Sequence, residues 1–184
     1  EEVLSARLVA DPLGVLDCSP ISDGAAAVIV CSDAGLARLA TSGRRPKLRG
    51  IGLTSGTLRS GLYDLNEEDI SSRAAVIAFE KAGIDPSDID FVEMHDCFTI
   101  AEIVRMEGIG LIPRGEGAAW TERGDTSIGG RLPVNPSGGL LSRGHPVGAT
   151  GVAQVCEMYW QLTGQARARQ VEGARMGLSY CKGG

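Results

Sequence analysis

The stretch from Asn135 to Gly151, Asn-Pro-Ser-Gly-Gly-Leu-Leu-Ser-Arg-Gly-His-Pro-Val-Gly-Ala-Thr-Gly, constrains the fold more than any other part of the chain. Glycine opens positive φ and close backbone approach, whereas proline fixes φ and removes a donor. A run dense in both is a shaped loop rather than a regular element. Pro146 directly follows His145 and suits the first position of a helix. Behind it, Val152, Val155, Cys156, Tyr159 and Trp160 recur at helical spacing, giving an apolar stripe on a helix that runs to Gly164. A helix starting just after a histidine would hold that imidazole at one chosen point. From residue types alone, a catalytic loop and a hydrogen-bonded structural turn both stand.

The rest of the composition narrows the class. A chain of 184 residues with 43% hydrophobic and 22% charged residues can bury a core as one globular domain, or slightly more than one. A net charge of -5 without basic runs argues against nucleic acid as a partner. No apolar stretch is long enough to span a bilayer, so no membrane partner is expected. Cys18, Cys31, Cys97, Cys156 and Cys181 are scattered, with no CxxC pair, which suggests neither a metal site nor a disulfide framework. They read as reduced thiols of a cytoplasmic protein. The chain opens at Glu1-Glu-Val-Leu and stops at Cys181-Lys-Gly-Gly184, just after a strand that has nothing following to pair with. It reads as part of a longer protein.

Taken in order, residues 1–24 are loop-like, and the apolar run Ala25–Cys31 predicts a strand buried on both faces. Ser32 is a candidate cap for a brief helix through Leu39, ending near Gly43. The turn-prone Thr41–Pro46 is the best internal boundary, and Leu48–Leu53 predicts another strand. Asn66–Gly83 reads as a helix with Glu67, Glu68 and Asp69 in its first turn. Its inner face would be Ile70, Ala74, Ile77, Ala78 and Ala82, and Gly83 would close it. After a turn at Asp85–Asp88, Ile89–Met94 predicts a strand, and a helix follows from Ile100 with Thr99 as its cap. This helix, turn and strand point to an α/β fold. Gly108–Pro133 reads as a long surface excursion and Gln165–Glu172 as connection. The alternation of Ala174, Met176, Leu178 and Tyr180 predicts a half-buried strand that delivers Cys181 to its tip.

His95-Asp-Cys-Phe98 falls at the carboxyl end of the Ile89–Met94 strand, where α/β sheets usually meet their ligands. The plain alternative is a strand terminus followed by a helix cap, with Cys97 and Phe98 in the core. Strand and loop ends thus offer His95, His145 and Cys181. Two imidazoles, a thiol and glycine-rich backbone can move a proton on a nucleophile or carbon acid and cradle an oxyanion.

These motifs together resemble the C-terminal half of a thiolase, most closely the sterol-carrier-protein-2 type. Asn135–Gly151 is similar to that family's Asn-x-x-Gly-Gly…Gly-His-Pro-x-Gly-Ala-Thr-Gly block. His95–Phe98 matches its His-Asp-Cys-Phe motif, Cys181–Gly184 the start of a Cys-x-Gly-Gly loop, and Ser22–Ala26 a Ser/Asn-Asp-Gly-Ala-Ala segment. The resemblance implies a duplicated fold, each half a five-stranded mixed sheet covered by helices. Residues 1–44 would end the N-terminal half, with Ala25–Cys31 its last strand. Residues 45–184 would be the C-terminal domain without its final strand.

By the same resemblance the whole protein would be a transferase of lipid metabolism, acting on acyl-CoA and acetyl-CoA by Claisen condensation or thiolysis. It would take the CoA thioester as substrate, use no separate cofactor or metal, and be a homodimer. The acylated cysteine would lie in the N-terminal half, outside this chain. His145 would activate that nucleophile, and His95 would help hold an enolate oxygen. Cys181 or Cys97 would be the acid/base at the acetyl α-carbon, since both thiols are present. The Gly183 N–H would join an oxyanion hole. Tyr180 and Lys182 flank Cys181 with bulkier groups than many thiolases carry. Some relatives of this branch are steroid side-chain retro-aldolases, or assemble with a small zinc-ribbon partner. A non-catalytic subunit is a third reading.

Overall fold

The computed structural model of the chain describes residues 1–39, 43–56 and 70–183. The expected helix start at Glu67, Glu68 and Asp69 lies outside these residues, as do Thr41 and Ser42 of the expected boundary. The elements in chain order are β1 (Leu8–Ala10), β2 (Leu13–Gly14), α1 (Asp33–Ala37), α2 (Ile70–Ala82) and β3 (Phe91–Glu93). They continue with α3 (Thr99–Gly108), α4 (Gly117–Arg123), α5 (Gly139–Arg143), α6 (Thr150–Thr163) and β4 (Gly177–Ser179).

The centre of the molecule is β3, because Ile89–Met94 alternates side chains that two different layers can bury. Val92 and Met94 face a core built with Ala75 and Phe79 of α2, Met106 of α3 and Trp120 of α4. Phe91 points the other way, into a smaller cluster with Val171 and Ala174, against which Met158 and Leu162 of α6 pack. Helices therefore cover both faces, an α/β arrangement. β4 pairs with β3 in parallel, Phe91 opposite Gly177 and Glu93 opposite Ser179. The pairing runs past both strand ends, since the Asp90 N–H donates to Met176 O and the Tyr180 N–H to Glu93 O, each at 2.9 Å. On its other edge β3 meets Val134 through one parallel bridge at Val92. Parallel neighbours bring the carboxyl ends of all three lines to the same side.

Several local expectations hold. Ser32 caps α1 by accepting from the Gly35 N–H at 3.1 Å. Gly83, at φ +64°, closes α2 with its N–H on Phe79 O. Asp85 accepts from the Ser87 N–H at the start of the short turn before β3. Met176, Leu178 and Tyr180 pack against the larger core as the alternation of that strand requires.

Others are corrected. Ala25–Cys31 joins neither the antiparallel β1–β2 pair nor the β3–β4 pair and is exposed, with Ile29 91% and Val30 80% accessible. A strand buried on both faces needs a ladder and two covering layers, and the described residues supply neither to this run. Leu48–Leu53 also forms no strand. It lies along α2 instead: Gly50 and Gly52 approach the helix so closely that a Cβ would collide with the backbone of Ala78 and Ala74. The side chains of Arg49 and Lys81 tie the segment and the helix together. Ile70, Ala74, Ile77 and Ala78 are accordingly only half-buried, and the fully buried face of α2 is Ser71, Ala75, Phe79 and Ala82. Gly108–Pro133 is not a mere excursion, because it folds α4 and delivers Trp120, Ile112 and Leu132 to the core.

Helix α6 turns inward a different face from its apolar stripe. The helix begins at Thr150, after a turn in which Pro146 O accepts the N–H groups of Ala149 and Thr150. Its buried face is polar: Thr150, Gln154, Glu157 and Gln161 are at most 1% exposed. Gln161 takes the Val171 N–H at 2.8 Å and donates to Arg169 O at 2.8 Å, while Glu157 pairs with Arg169 at 2.8 Å. The Gln154 amide donates to Tyr180 O at 3.1 Å. These side chains satisfy the backbone of the connection to β4, which a purely apolar face would leave unpaired. The apolar stripe faces outward, with Val155, Tyr159 and Trp160 each more than 40% exposed. The unpaired run lies alongside it, where Cys156 Sγ approaches Ala27 O at 3.6 Å.

Candidate active site

Three loops meet at the carboxyl ends of β3 and β4, each held by a different part of the sequence. The first is Met94–Phe98. His95 is 9% exposed and Asp96 2%, so both side chains are committed to the interior. The second is the glycine-rich loop, latched at three points to the first and to the end of β3. The Met94 N–H donates to Asn135 Oδ1 at 2.6 Å. Ser137 donates to the Glu93 carboxyl through its N–H at 3.0 Å and its hydroxyl at 2.7 Å. Asp96 accepts the Leu140 N–H at 2.6 Å, at the start of α5. Gly139 permits this last contact. Its φ is +61°, and a Cβ there would run into the Asp96 carboxylate.

A third strand of backbone, residues 18–21, is stitched between the two loops. The Ser19 N–H donates to Cys97 O at 2.9 Å, and the His145 N–H to Pro20 O at 3.1 Å. This fixes His145, which follows Gly144 at φ +92°. The His145 and His95 rings then meet edge to face, centroids 5.0 Å apart and planes at 88°. Cys181, just past β4, brings Sγ to 3.7 Å from His95 Nδ1. A Cβ at Gly151 would touch that same sulfur at 3.4 Å, so the thiol sits over the first turn of α6. His145 is joined to this turn too, its Nδ1 lying 2.8 Å from Thr150 Oγ1.

The structure thus brings His95, His145 and Cys181 into one cluster, with His95 the common neighbour. Cys97 lies two residues along the same loop, its backbone carbonyl engaged with Ser19, and among the described residues no hydrogen bond joins its thiol to either imidazole. Gly183 is exposed with open space around it. Beside His145, an open groove of roughly 400 Å³ runs between Ser22–Ala26 and Pro146–Ala149.

Burial sets the electrostatics. The His95 imidazole is pushed down to about 4, by burial first and then by electrostatic interaction with His145, Arg105 and Lys182. It is neutral at physiological pH and can donate or accept a hydrogen bond without carrying charge. Cys181 is exposed as a residue, but the partial burial of its thiol pushes that group up, so it holds its proton. Cys97 is raised by burial as well, opposed by backbone hydrogen bonding and Arg105. Beneath the cluster, burial lifts Glu93 to about 7 despite its bonds from Ser137, and lifts Glu102 to about 7 with help from Asp96. Asp96 is raised by burial, although the Leu140 N–H and the Arg143 charge oppose that.

Reading the sequence for nucleophiles and bases passed over Glu93, Arg143 and Thr150. Glu93 had a signal: it is the one acid in the apolar run Phe91-Val-Glu-Met94 and must be partnered to be buried. Arg143, whose buried Nε and Nη2 have no hydrogen-bond partner among the described residues, had none. Thr150 stands five residues after His145, a spacing that says nothing until the turn at Pro146 folds one onto the other.

Comparison with known proteins bears on this site. Residues 60–184 match the family described as thiolase C-terminal domain-like. An acetyl-CoA acetyltransferase of Methanothermobacter thermautotrophicus is 49% identical over 100% of this chain and 48% of its own length. Human sterol carrier protein 2 is 41% identical over 98% of the chain and 34% of its length. The benzoylsuccinyl-CoA thiolase subunit BbsB of Thauera aromatica is 39% identical over 100% and 48%. The chain therefore spans about half, or less, of the relatives it matches. Among solved structures, a chain of the Ltp2-ChsH2(DUF35) aldolase superposes with a TM-score of 0.80 at 23% identity, covering 96% of this chain and 46% of that one. That likeness speaks to the fold. The fold, the matched residues and the relatives agree, and the chain belongs to the thiolase family, with residues 60–184 matching its C-terminal domain.

Proposed function

We propose that this chain is the C-terminal part of an acyl-CoA C-acyltransferase, which forms or cleaves 3-oxoacyl-CoA by Claisen condensation or thiolysis. The observation that carries the reading is the cluster itself: a protonated thiol 3.7 Å from a neutral imidazole that packs edge to face on a second one. In thiolysis, a cysteine thiolate outside this chain attacks the 3-oxo carbon, and the Cα–Cβ bond breaks to release the enolate of acetyl-CoA. His145 takes the proton from that cysteine. His95, neutral and buried, donates a hydrogen bond to the oxygen where negative charge develops. Cys181 delivers a proton to the acetyl α-carbon, a role that the raised thiol suits because an acid must hold its proton until it is needed. CoA then takes the acyl group from the cysteine. Gly183 would lend its N–H to the second thioester oxygen.

The same reading divides the chain into residues 1–44, the end of the N-terminal half, and 45–184, the C-terminal domain. The outward apolar stripe of α6 and the exposed Ile29 and Val30 support that division, as surfaces the other half would cover. A cytoplasmic homodimer, degradation of fatty-acyl or steroid side chains, and a zinc-ribbon partner belong to the proposal as well.

Its test is thiolysis of a 3-oxoacyl-CoA by the full-length protein. His145→Ala is expected to lower the rate by about two orders of magnitude or more, as loss of a general base does. A rate close to wild type would remove His145 from the mechanism.

A further inference from the structure

We propose that Thr150 is a positioning residue that selects the reactive tautomer of His145, holding the proton on Nδ1 and leaving Nε2 as the base. The inference rests on the role given to His145 above. It starts from proton counting at one buried hydroxyl. Thr150 is fully buried, and its Oγ1 lies 2.8 Å from His145 Nδ1 and 3.1 Å from Pro146 O. The hydroxyl has one proton and two lone pairs. Pro146 O is a carbonyl and can only accept, whereas Nδ1 can give or take. Donation four residues back to a carbonyl is the ordinary habit of threonine at a helical position, and its methyl branch restricts the alternative rotamers. With the O–H spent on Pro146, the oxygen presents a lone pair to Nδ1, which must then carry the proton.

A neutral imidazole protonated at Nδ1 has its free lone pair on Nε2. The reverse arrangement, hydroxyl to Nδ1, would protonate Nε2 and leave no base there. Pro146 O also receives the N–H groups of Ala149 and Thr150, at 2.8 and 2.9 Å. Those bonds anchor the carbonyl, and they make the hydroxyl its third donor. The decisive measurement therefore reads the tautomer itself. The edge-to-face contact with His95 holds the ring plane, so the tautomer decides what Nε2 offers to a substrate.

The experiment uses full-length protein labelled with ¹⁵N-histidine, the His145 signals being those lost in His145→Ala. Two-dimensional ¹H–¹⁵N spectra at neutral pH are expected to show His145 protonated at Nδ1. In Thr150→Val the tautomer ratio is expected to move by about tenfold toward Nε2–H, the weight of one hydrogen bond, and kcat for thiolysis to fall by a similar factor. KM should stay within about twofold, since ground-state binding is untouched. Thr150→Ser, which restores the hydroxyl, should recover both tautomer and kcat. An Nε2–H signal in the wild type overturns the proposal, as does a Val variant that keeps the wild-type tautomer and rate. If Thr150→Val does not fold, the wild-type spectrum and the Ser variant still decide. The reading of His145 as base fails separately, by an active His145→Ala variant, whatever the tautomer.

Discussion

At the scale of single residues, the site is defined by groups whose burial opposes their usual charge. His95 and Glu93 are neighbours on one strand end with shifts of opposite consequence for stability. His95 titrates near 4 in the folded chain against an ordinary 6.5. Between these values the unfolded state holds the extra proton, so this contribution to stability is lost as pH falls. Glu93 titrates near 7 against an ordinary 4.5. Between those values the folded state holds the extra proton, so this contribution is present at low pH and is lost as pH rises. Glu93→Gln keeps an acceptor for Ser137 and removes the titration. Comparing pH 7 with pH 4.5, the variant is expected to gain stability relative to wild type by on the order of 3 kcal/mol, read from urea unfolding at each pH. Parallel stability–pH curves for the two proteins would contradict the assignment.

At the scale of elements, α6 shows how sequence pattern and local need can diverge. Its apolar stripe was legible as Val152, Val155, Cys156, Tyr159 and Trp160, yet in the described residues the polar face turns inward. Periodicity reports only that a face wants cover. It cannot say that the Val171 N–H and the carbonyls of Arg169 and Tyr180 will need side-chain partners, because that need arises only when β4 returns to pair with β3. The same blindness explains Ala25–Cys31 and Leu48–Leu53: short apolar runs look alike whether or not a neighbouring strand exists. By contrast, β3, the end of α2 at Gly83 and the cap at Ser32 were legible because their signals are local. Gln161→Leu tests the inward polar face. Losing its bonds with Val171 and Arg169 leaves buried backbone groups unpaired, so a cost of about 2–4 kcal/mol is expected by denaturant titration. A neutral result would mean that the connection to β4 does not depend on α6 for its hydrogen bonds.

At the scale of the whole molecule, a three-layer α/β fold brings three distant parts of the chain to one end of the sheet. The three parts were readable from motifs, as the glycine-rich block around His145, the tetrad at His95 and the cysteine after the last strand, but their meeting in one place was not. The motifs also left open the choice between two thiols. Only the parallel register of β3 and β4 sets Cys181 beside His95, and nothing in the spacing of the sequence reveals it. The central claim is that this juxtaposition is functional. It is tested most directly by exchange of the α-protons of acetyl-CoA with deuterated solvent, catalysed by the full-length protein. Cys181→Ala is expected to lower exchange by about 10²-fold or more, as for loss of the acid/base, and Cys97→Ala to leave most of it. Exchange abolished by Cys97→Ala and retained by Cys181→Ala would contradict the account.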